Sequence, residues 1–385
     1  MTLGMLNIQT ERYDLEDIAA SNYSVFVAKK NILERSTIGA FFLNREMGGS
    51  CDYNRVGGVE ANFVFYQYLS VGTFAAKSTE SDNFDCPDAT RAAEEGSDLM
   101  TAGHIRWDSD FFNLETSWLT VDDNFRDDLG FIPRKGRRDI MPQIGFRPRP
   151  RNNKYIRQVI VRWRTDYTMN QQNQLESRVG HGGLEIHLQN GDQFAWTPHT
   201  RFDTFYSPFS NRSGVWLIPA GSYGWWNNAL RYTLNPGRII SGPIINWSHH
   251  IGYYGDGTFH NINMRPRIRL TDQMTAQIRY GINKATFPTR MCVDKTVETC
   301  GFTDHVVNTR LEYNFNNQWL TSTTLQYNSS DQFWGVNVRL NYIFRPGDDF
   351  FLIYNEGRRF IDSVGVPYGP NERTLQAKLT YSFDF

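Results

Sequence analysis

What this sequence lacks is an apolar run long enough to cross a membrane as a helix. Such a helix needs roughly 18 or more consecutive apolar residues, whereas the longest runs here are of the kind found at 215–220 and from Phe350 to Tyr354. Helical membrane proteins are therefore excluded. Charge of one sign is also lacking: 40 basic and 41 acidic residues leave a formal net charge of −1, so nothing overall favours nucleic acid or an acidic partner. Cysteine is scarce, and the four present, Cys51, Cys86, Cys292 and Cys300, form no CxxC pair of the kind that marks a zinc site. Polar low-complexity tracts are missing too. What remains is a chain of 385 residues, long enough for one or two ordinary domains or one large barrel.

Aromatic residues are abundant. Apolar residues make up 40% and mean hydropathy is −0.52, yet aromatics reach 15%, with 27 Phe, 19 Tyr and 10 Trp. A chain that is polar on average but rich in rings suits a membrane wall with aromatic girdles. Period-two alternation supplies the architecture. From Trp334 to Phe344, Trp334, Val336, Val338, Leu340, Tyr342 and Phe344 alternate with Gly335, Asn337, Arg339, Asn341 and Ile343. One face can meet lipid and the other water. The same split runs through Val307–Phe315, Met274–Asn283 and Leu375–Phe385. About twenty strands of roughly 9 to 14 residues follow, the length that a tilted barrel strand needs.

The connections alternate in size. Short ones fall at Asn31–Glu34, Tyr66-Gln67, Asp108–Asp110, Asn190-Gly191, Asn235–Gly237, Thr271-Asp272, Asn316-Asn317 and Arg345–Gly347. Longer ones fall at Ser81–Ser97, Asn124–Arg138, Thr204–Ala220, Ala285–Thr303 and Arg358–Pro370, with brief exceptions near Ser329-Ser330 and Gly252–Asp256. Short periplasmic turns with long outer loops are the pattern of a bacterial outer-membrane barrel, and backbone closure is what makes a sheet tolerable in hydrocarbon. The reading is an all-β, transmembrane, antiparallel up-and-down β-barrel spanning residues 1–385. Pro243 and Pro266 fall inside adjacent strands, where a missing N–H predicts a bulge or bend.

Particular residues then acquire expected places. Val336, Leu340, Leu311, Tyr313, Leu375 and Leu379 should face lipid, and Trp319, Trp334, Tyr342, Phe344, Phe383 and Phe385 should form interfacial girdles. The same register turns Arg265, Arg267, Arg269, Arg279, Arg310 and Arg339 toward the lumen as a basic stripe, against the alternative of Arg-carboxylate ladders that neutralise one another. All four cysteines are expected in outer loops, none of them in a strand, where Cys51 with Cys86 and Cys292 with Cys300 suggest disulfides. His249 and His260 should oppose each other across the Gly252–Gly257 hairpin, too few ligands for a closed zinc site. Ser248 points away from His249, so no nucleophile–base pair is evident. Asn190–Asp192 and Gly255–Gly257 read as hairpin turns that resemble calcium loops superficially. No catalytic residue, metal or cofactor is expected. Expected partners are outer-membrane lipid and lipopolysaccharide, with polysaccharide or other outer-membrane or periplasmic subunits as further candidates and no nucleic acid.

A family resemblance adds to this. The stretch from Gln326 to Ser330, then Gly335 through Asp349 and Tyr354-Asn355-Glu356, is similar to the C-terminal half of the domain of unknown function 5916 family. Supporting stretches are Asn54-Arg55 with Gly57 to Asn62, Ile218 to Tyr223, and Tyr253 to Gly257, in order along almost the whole chain. The resemblance implies an outer-membrane barrel preceded by a periplasmic module similar to family 9 carbohydrate-binding domains, with no catalytic residues to carry over. Members usually have a signal peptide, that module and several further strands before the point matching Thr2 to Thr10, and Met1 to Thr10 has no signal character. The chain thus reads as a fragment, a processed product or one piece of a split barrel, with closure on itself or within a larger barrel left open. Function is expected to be that of a pore or transport channel for solutes, with a non-conducting scaffold or receptor and, less well supported, an outer-membrane hydrolase as alternatives.

Overall fold

The computed structural model describes residues 1–12, 20–47, 53–80, 98–210, 214–359 and 372–382. Its strands, in chain order, are β1 (Thr2–Thr10), β2 (Ser21–Ile32), β3 (Ser36–Met47), β4 (Tyr53–Phe65), β5 (Leu69–Glu80), β6 (Leu99–Asp108), β7 (Phe112–Val121), β8 (Arg137–Phe146), β9 (Ile156–Asn170), β10 (Leu175–Leu188), β11 (Gln193–Phe205), β12 (Phe209–Ser210), β13 (Leu217–Ile218), β14 (Gly221–Leu234), β15 (Ile240–Tyr253), β16 (Gly257–Met264), β17 (Arg267–Arg269), β18 (Met274–Pro288), β19 (Thr299–Asn314), β20 (Trp319–Asn328), β21 (Phe333–Arg345), β22 (Asp348–Arg359) and β23 (Glu372–Thr380). The one helical element among the described residues is a 3-10 turn at Thr289–Met291. Twenty-one strands belong to one antiparallel sheet in which consecutive strands pair, and β12 with β13 forms a separate ribbon. The count of about twenty expected from sequence is met. No helix among the described residues is long and apolar enough to cross a membrane.

Contacts divide the chain into two units. The first comprises Met1–Arg147, Val161–His181 and Phe202–Thr204, and the second Pro148–Ile160, Gly182–Arg201 and Phe205–Phe385. In the first, Val59, Ala61, Phe63 and Phe65 of β4 lie level with Ala75, Thr73, Val71 and Leu69 of β5. The register carries that face onward through Ile105 and Trp107, then Thr116 and Leu114, to Pro142 and Ile144. The middle of this face holds no charge. Partners across a ladder point to the same side, so the opposite face is fixed as well, and it is polar.

The second unit repeats the split. Leu311, Thr323, Val338, Tyr354 and Leu375 form one row across β19 to β23, and Tyr313, Thr321, Leu340, Leu352 and Ala377 form the next. Val336 and Leu379 fall on the same face, so all six residues expected to face lipid share it. Trp319, Tyr342 and Phe344 stack at one margin and Tyr327 on Trp334 at the other. Tyr342 and Trp334 are eight positions apart on β21, about 26 Å at ~3.3 Å per residue. On β19 to β23 the charged residues of this face are Glu356, Arg358 and Arg373, bound to one another near the Trp334 margin, and Arg345 with Asp348, paired beyond the Tyr342 margin. Phe383 and Phe385 lie outside the described residues.

Two buried carboxylates fasten turns. Asp192, 2% exposed, follows Asn190-Gly191 and accepts from the backbone N–H of Asn235, the Tyr232 hydroxyl and Arg238 at 2.9, 3.0 and 2.9 Å. Its oxygens are thereby committed to the β14–β15 turn rather than arranged as a calcium loop. Asp348 accepts the Ser382 backbone N–H at 2.6 Å and pairs with Arg345. The expected irregularities also appear. The β14–β15 register shifts between Tyr232 and Thr233, opposite Pro243, and the edge breaks between β16 and β17 at Arg265-Pro266.

One connection departs from expectation. The segment expected as a loop at Ala285–Thr303 is ladder at both ends, with β18 and β19 paired through Pro288 and Thr299. Cys300 therefore lies in a strand, not in a loop, and is bonded to Cys292. The physical reason is packing: Ala285 and Phe287 are buried under Trp216 and Ile218, which rewards continued pairing beyond the point where the polar alternation fades. Cys51 and Cys86 lie outside the described residues.

Candidate functional site

The polar face is where chemistry gathers, and the two units arm it differently. In the first unit the charges are matched. Lys29 meets Glu60 at 2.9 Å, Arg106 grips Glu115 through two bonds of 2.9 and 2.8 Å, and Arg164 holds Asp166 at 2.5 and 2.7 Å with His181 at 3.1 Å from the same carboxylate. Lys29, Glu60, His104, Arg106 and Glu115 line a cleft of about 410 Å³. Arg106 and Glu115 face each other across one ladder, Arg164 and Asp166 share a strand, and Lys29 reaches Glu60 over Gly39 of the strand between them, the geometry of neutralising pairs.

The connection between β7 and β8 folds back onto that face. Phe125, 1% exposed, packs with Val56, Ala76 and Val121. Asn54 donates to the Arg126 carbonyl at 3.0 Å and accepts the Asp128 N–H at 3.0 Å, while Ser78 accepts the Arg126 N–H at 3.1 Å. Asp128 is clamped by Arg45 at 2.5 Å and by Arg126 at 2.8 Å. Burial opposes its ionisation, but the bonds from Arg126 and Arg45 outweigh burial and hold its carboxyl below the usual carboxylate range.

In the second unit the polar face is basic. Arg269, Thr275, Glu312, Ser322 and Arg339 form one row across β17 to β21, and Arg267, Gln277, Arg310, Thr324 and Asn337 form the next. Arg279, level with Asn308 and Gln326, heads a third, and Arg265 stands beside it, donating to Asn263 at 2.8 Å. The register therefore brings all six arginines of the sequence-derived stripe to one face. Arg310 is 3.0 Å from Glu312, and the Arg339 guanidinium lies 4.3 Å from the Phe351 ring centre. Sequence reasoning left Arg231 and Lys378 out of the stripe, although the ladders put them on this face beside Asn246 and Phe351. Their place in the alternation was the available signal.

Beyond the arginines, toward the longer loops, lies an aromatic cap. Phe209 and Trp216 from the β11–β14 connection stack edge-on at 5.3 Å, and Trp216 lies 5.0 Å from Phe287. A bridge between Trp216 and Cys292 ties this connection to the disulfide hairpin. The histidines do not build a metal centre. His249 and His260 pair across the hairpin as expected, with ring centres 4.1 Å apart, but they stand on the apolar face, and no cluster of three or more metal-ligating side chains occurs among the described residues. His250 faces the other way, against Trp225 and Phe259.

No family model and no curated protein matches the chain. Among solved structures it is similar to the siderophore receptor PirA from Pseudomonas aeruginosa, with 11% identity, a TM-score of 0.49, and coverage of 99% of this chain and 72% of that one.

Proposed function

We propose that the chain is the wall of a bacterial outer-membrane β-barrel that passes solutes, and a member of the domain of unknown function 5916 family. The observation that carries the membrane reading is the apolar face of β19 to β23. Its uncharged middle is bounded by aromatic margins about 26 Å apart along the strand, close to the roughly 9–11 residues with which a tilted strand crosses the hydrocarbon. In water these exposed rings and aliphatic side chains would have no partner; against lipid tails and headgroups they do. A polar, charged opposite face then lines an aqueous path. Outer-membrane lipid and lipopolysaccharide are the surrounding partners on this reading, and a carbohydrate-related solute or module follows from the family resemblance alone.

A specific observation favours a second reading, a receptor or scaffold barrel that does not conduct. The β7–β8 and β11–β14 connections each fold onto the polar face of their own unit, through Phe125 and Trp216, as a plug-forming loop would. Reconstitution into planar bilayers decides between them. Discrete ohmic current steps from purified, folded protein are expected. Folded protein that inserts yet never conducts would replace the pore with the receptor.

A further inference from the structure

We infer that the arginine rows of β16 to β21 form a binding track for small hydrophilic anions, carboxylates or phosphates, on the polar face. This rests on the proposed assignment of that face to an aqueous path, and it names the class of solute. Charge on these rows is not cancelled. Arg265, Arg267, Arg269, Arg279, Arg310 and Arg339 contribute six positive charges against one carboxylate in their rows, Glu312. Six minus one leaves five.

The remaining carboxylates stand off. Asp304 is level with Asn283, four positions along from the level of Arg279, and Asp349 is level with Ile343, four positions from that of Arg339. Four positions are about 13 Å, beyond the ~8 Å Debye length at physiological salt. Glu372 is level with Gly357 and hence with Arg279, but five strands away, about 24 Å. Asp272 sits in the turn beyond Arg269 without an ion pair to it among the described residues. Elsewhere on polar faces of this protein the opposite arrangement is found, in Arg106 with Glu115 and Arg164 with Asp166. Wall bracing therefore does not require unmatched arginines.

The rows are also built for stepwise contact. Successive rows are two residues apart, about 7 Å, and Arg267 and Arg310 are separated by one strand carrying Gln277, about 10 Å. An anion can thus be handed from one guanidinium to the next while Gln277, Thr324 and Asn337 supply uncharged hydrogen-bond groups between them. Arginine suits the role because its planar donors match carboxylate and phosphate in pairs and stay charged at any working pH. The contact with the Phe351 ring orients Arg339 without neutralising it.

Two measurements on the full chain test the track. In planar bilayers under a KCl gradient, the reversal potential should report a preference for chloride of roughly tenfold, the lower end of what focused fields achieve. Arg267→Gln with Arg310→Gln should move it toward zero, and Arg267→Lys with Arg310→Lys should retain it. Separately, equilibrium dialysis at low salt should find inorganic phosphate held by detergent-solubilised protein and lost in the Gln pair but not in the Lys pair. A silent barrel that still holds phosphate through these arginines supports the track while removing the pore. Cation preference, or phosphate retention indifferent to the Gln pair, overturns the track whether or not the protein conducts.

Discussion

Asp128 is a single side chain on which a whole connection depends. Its carboxylate gathers Arg45 from β3 and Arg126 from its own loop, and its N–H reaches Asn54. A charge-assisted bond of this kind contributes about 1.5–3 kcal/mol. Because the folded carboxyl is held below its usual range, the stabilisation is complete above the unfolded pKa of about 3.9 and is lost as pH falls through the lower folded value. Asp128→Asn should therefore release the 122–136 segment at neutral pH, read as faster proteolytic cleavage there. Wild type should show the same cleavage only in strong acid. Equal protection of mutant and parent at pH 7 would mean that Phe125 and the backbone bonds to Asn54 and Ser78 hold the loop without the carboxylate. Asp192 works in the same sense, its burial outweighed by the Asn235 N–H and the Tyr232 hydroxyl, so its contribution to the turn is likewise lost in acid.

At the level of the strand, alternation was enough to assign faces. In β21 every second residue is apolar, and a one-residue slip would put Arg339 and Asn337 on the apolar side, so only one register is tolerable. That the six residues expected to face lipid share one face, and the six arginines the other, was legible for that reason. What was not legible depends on contacts distant in sequence. The extension of β18 and β19 past Ala285 needs Trp216 above Phe287, and the inward fold of 122–136 needs Asn54 and Arg45, some 70 to 80 residues earlier. Period-two patterning carries no information about such partners. A test of the face assignment is Val338→Arg, mid-strand between the two aromatic margins. It should destabilise the reconstituted barrel by about 2–4 kcal/mol in denaturant unfolding. Asn337→Arg, one residue away on the polar face, should be near neutral. Equal costs at the two sites would contradict the assignment.

For the molecule as a whole, the sheet of each unit has an apolar face and a polar one, as a wall between lipid and water requires. Twenty-one strands pair in one sheet, so the backbone between its two outer strands is satisfied by ladders, as hydrocarbon requires. A soluble sandwich would satisfy the same ladders but would bury Trp334, Phe344 and Leu375 between sheets, whereas all three are exposed. The most direct measurement is a nitroxide scan through β21 in liposomes, from Gly335 to Asn341, with collision rates taken against oxygen and against a water-soluble nickel chelate. The account predicts a period of two, with Val336, Val338 and Leu340 open to oxygen and shielded from nickel, and Asn337, Arg339 and Asn341 the reverse. Inverted phase, or nickel access at every position, would contradict it.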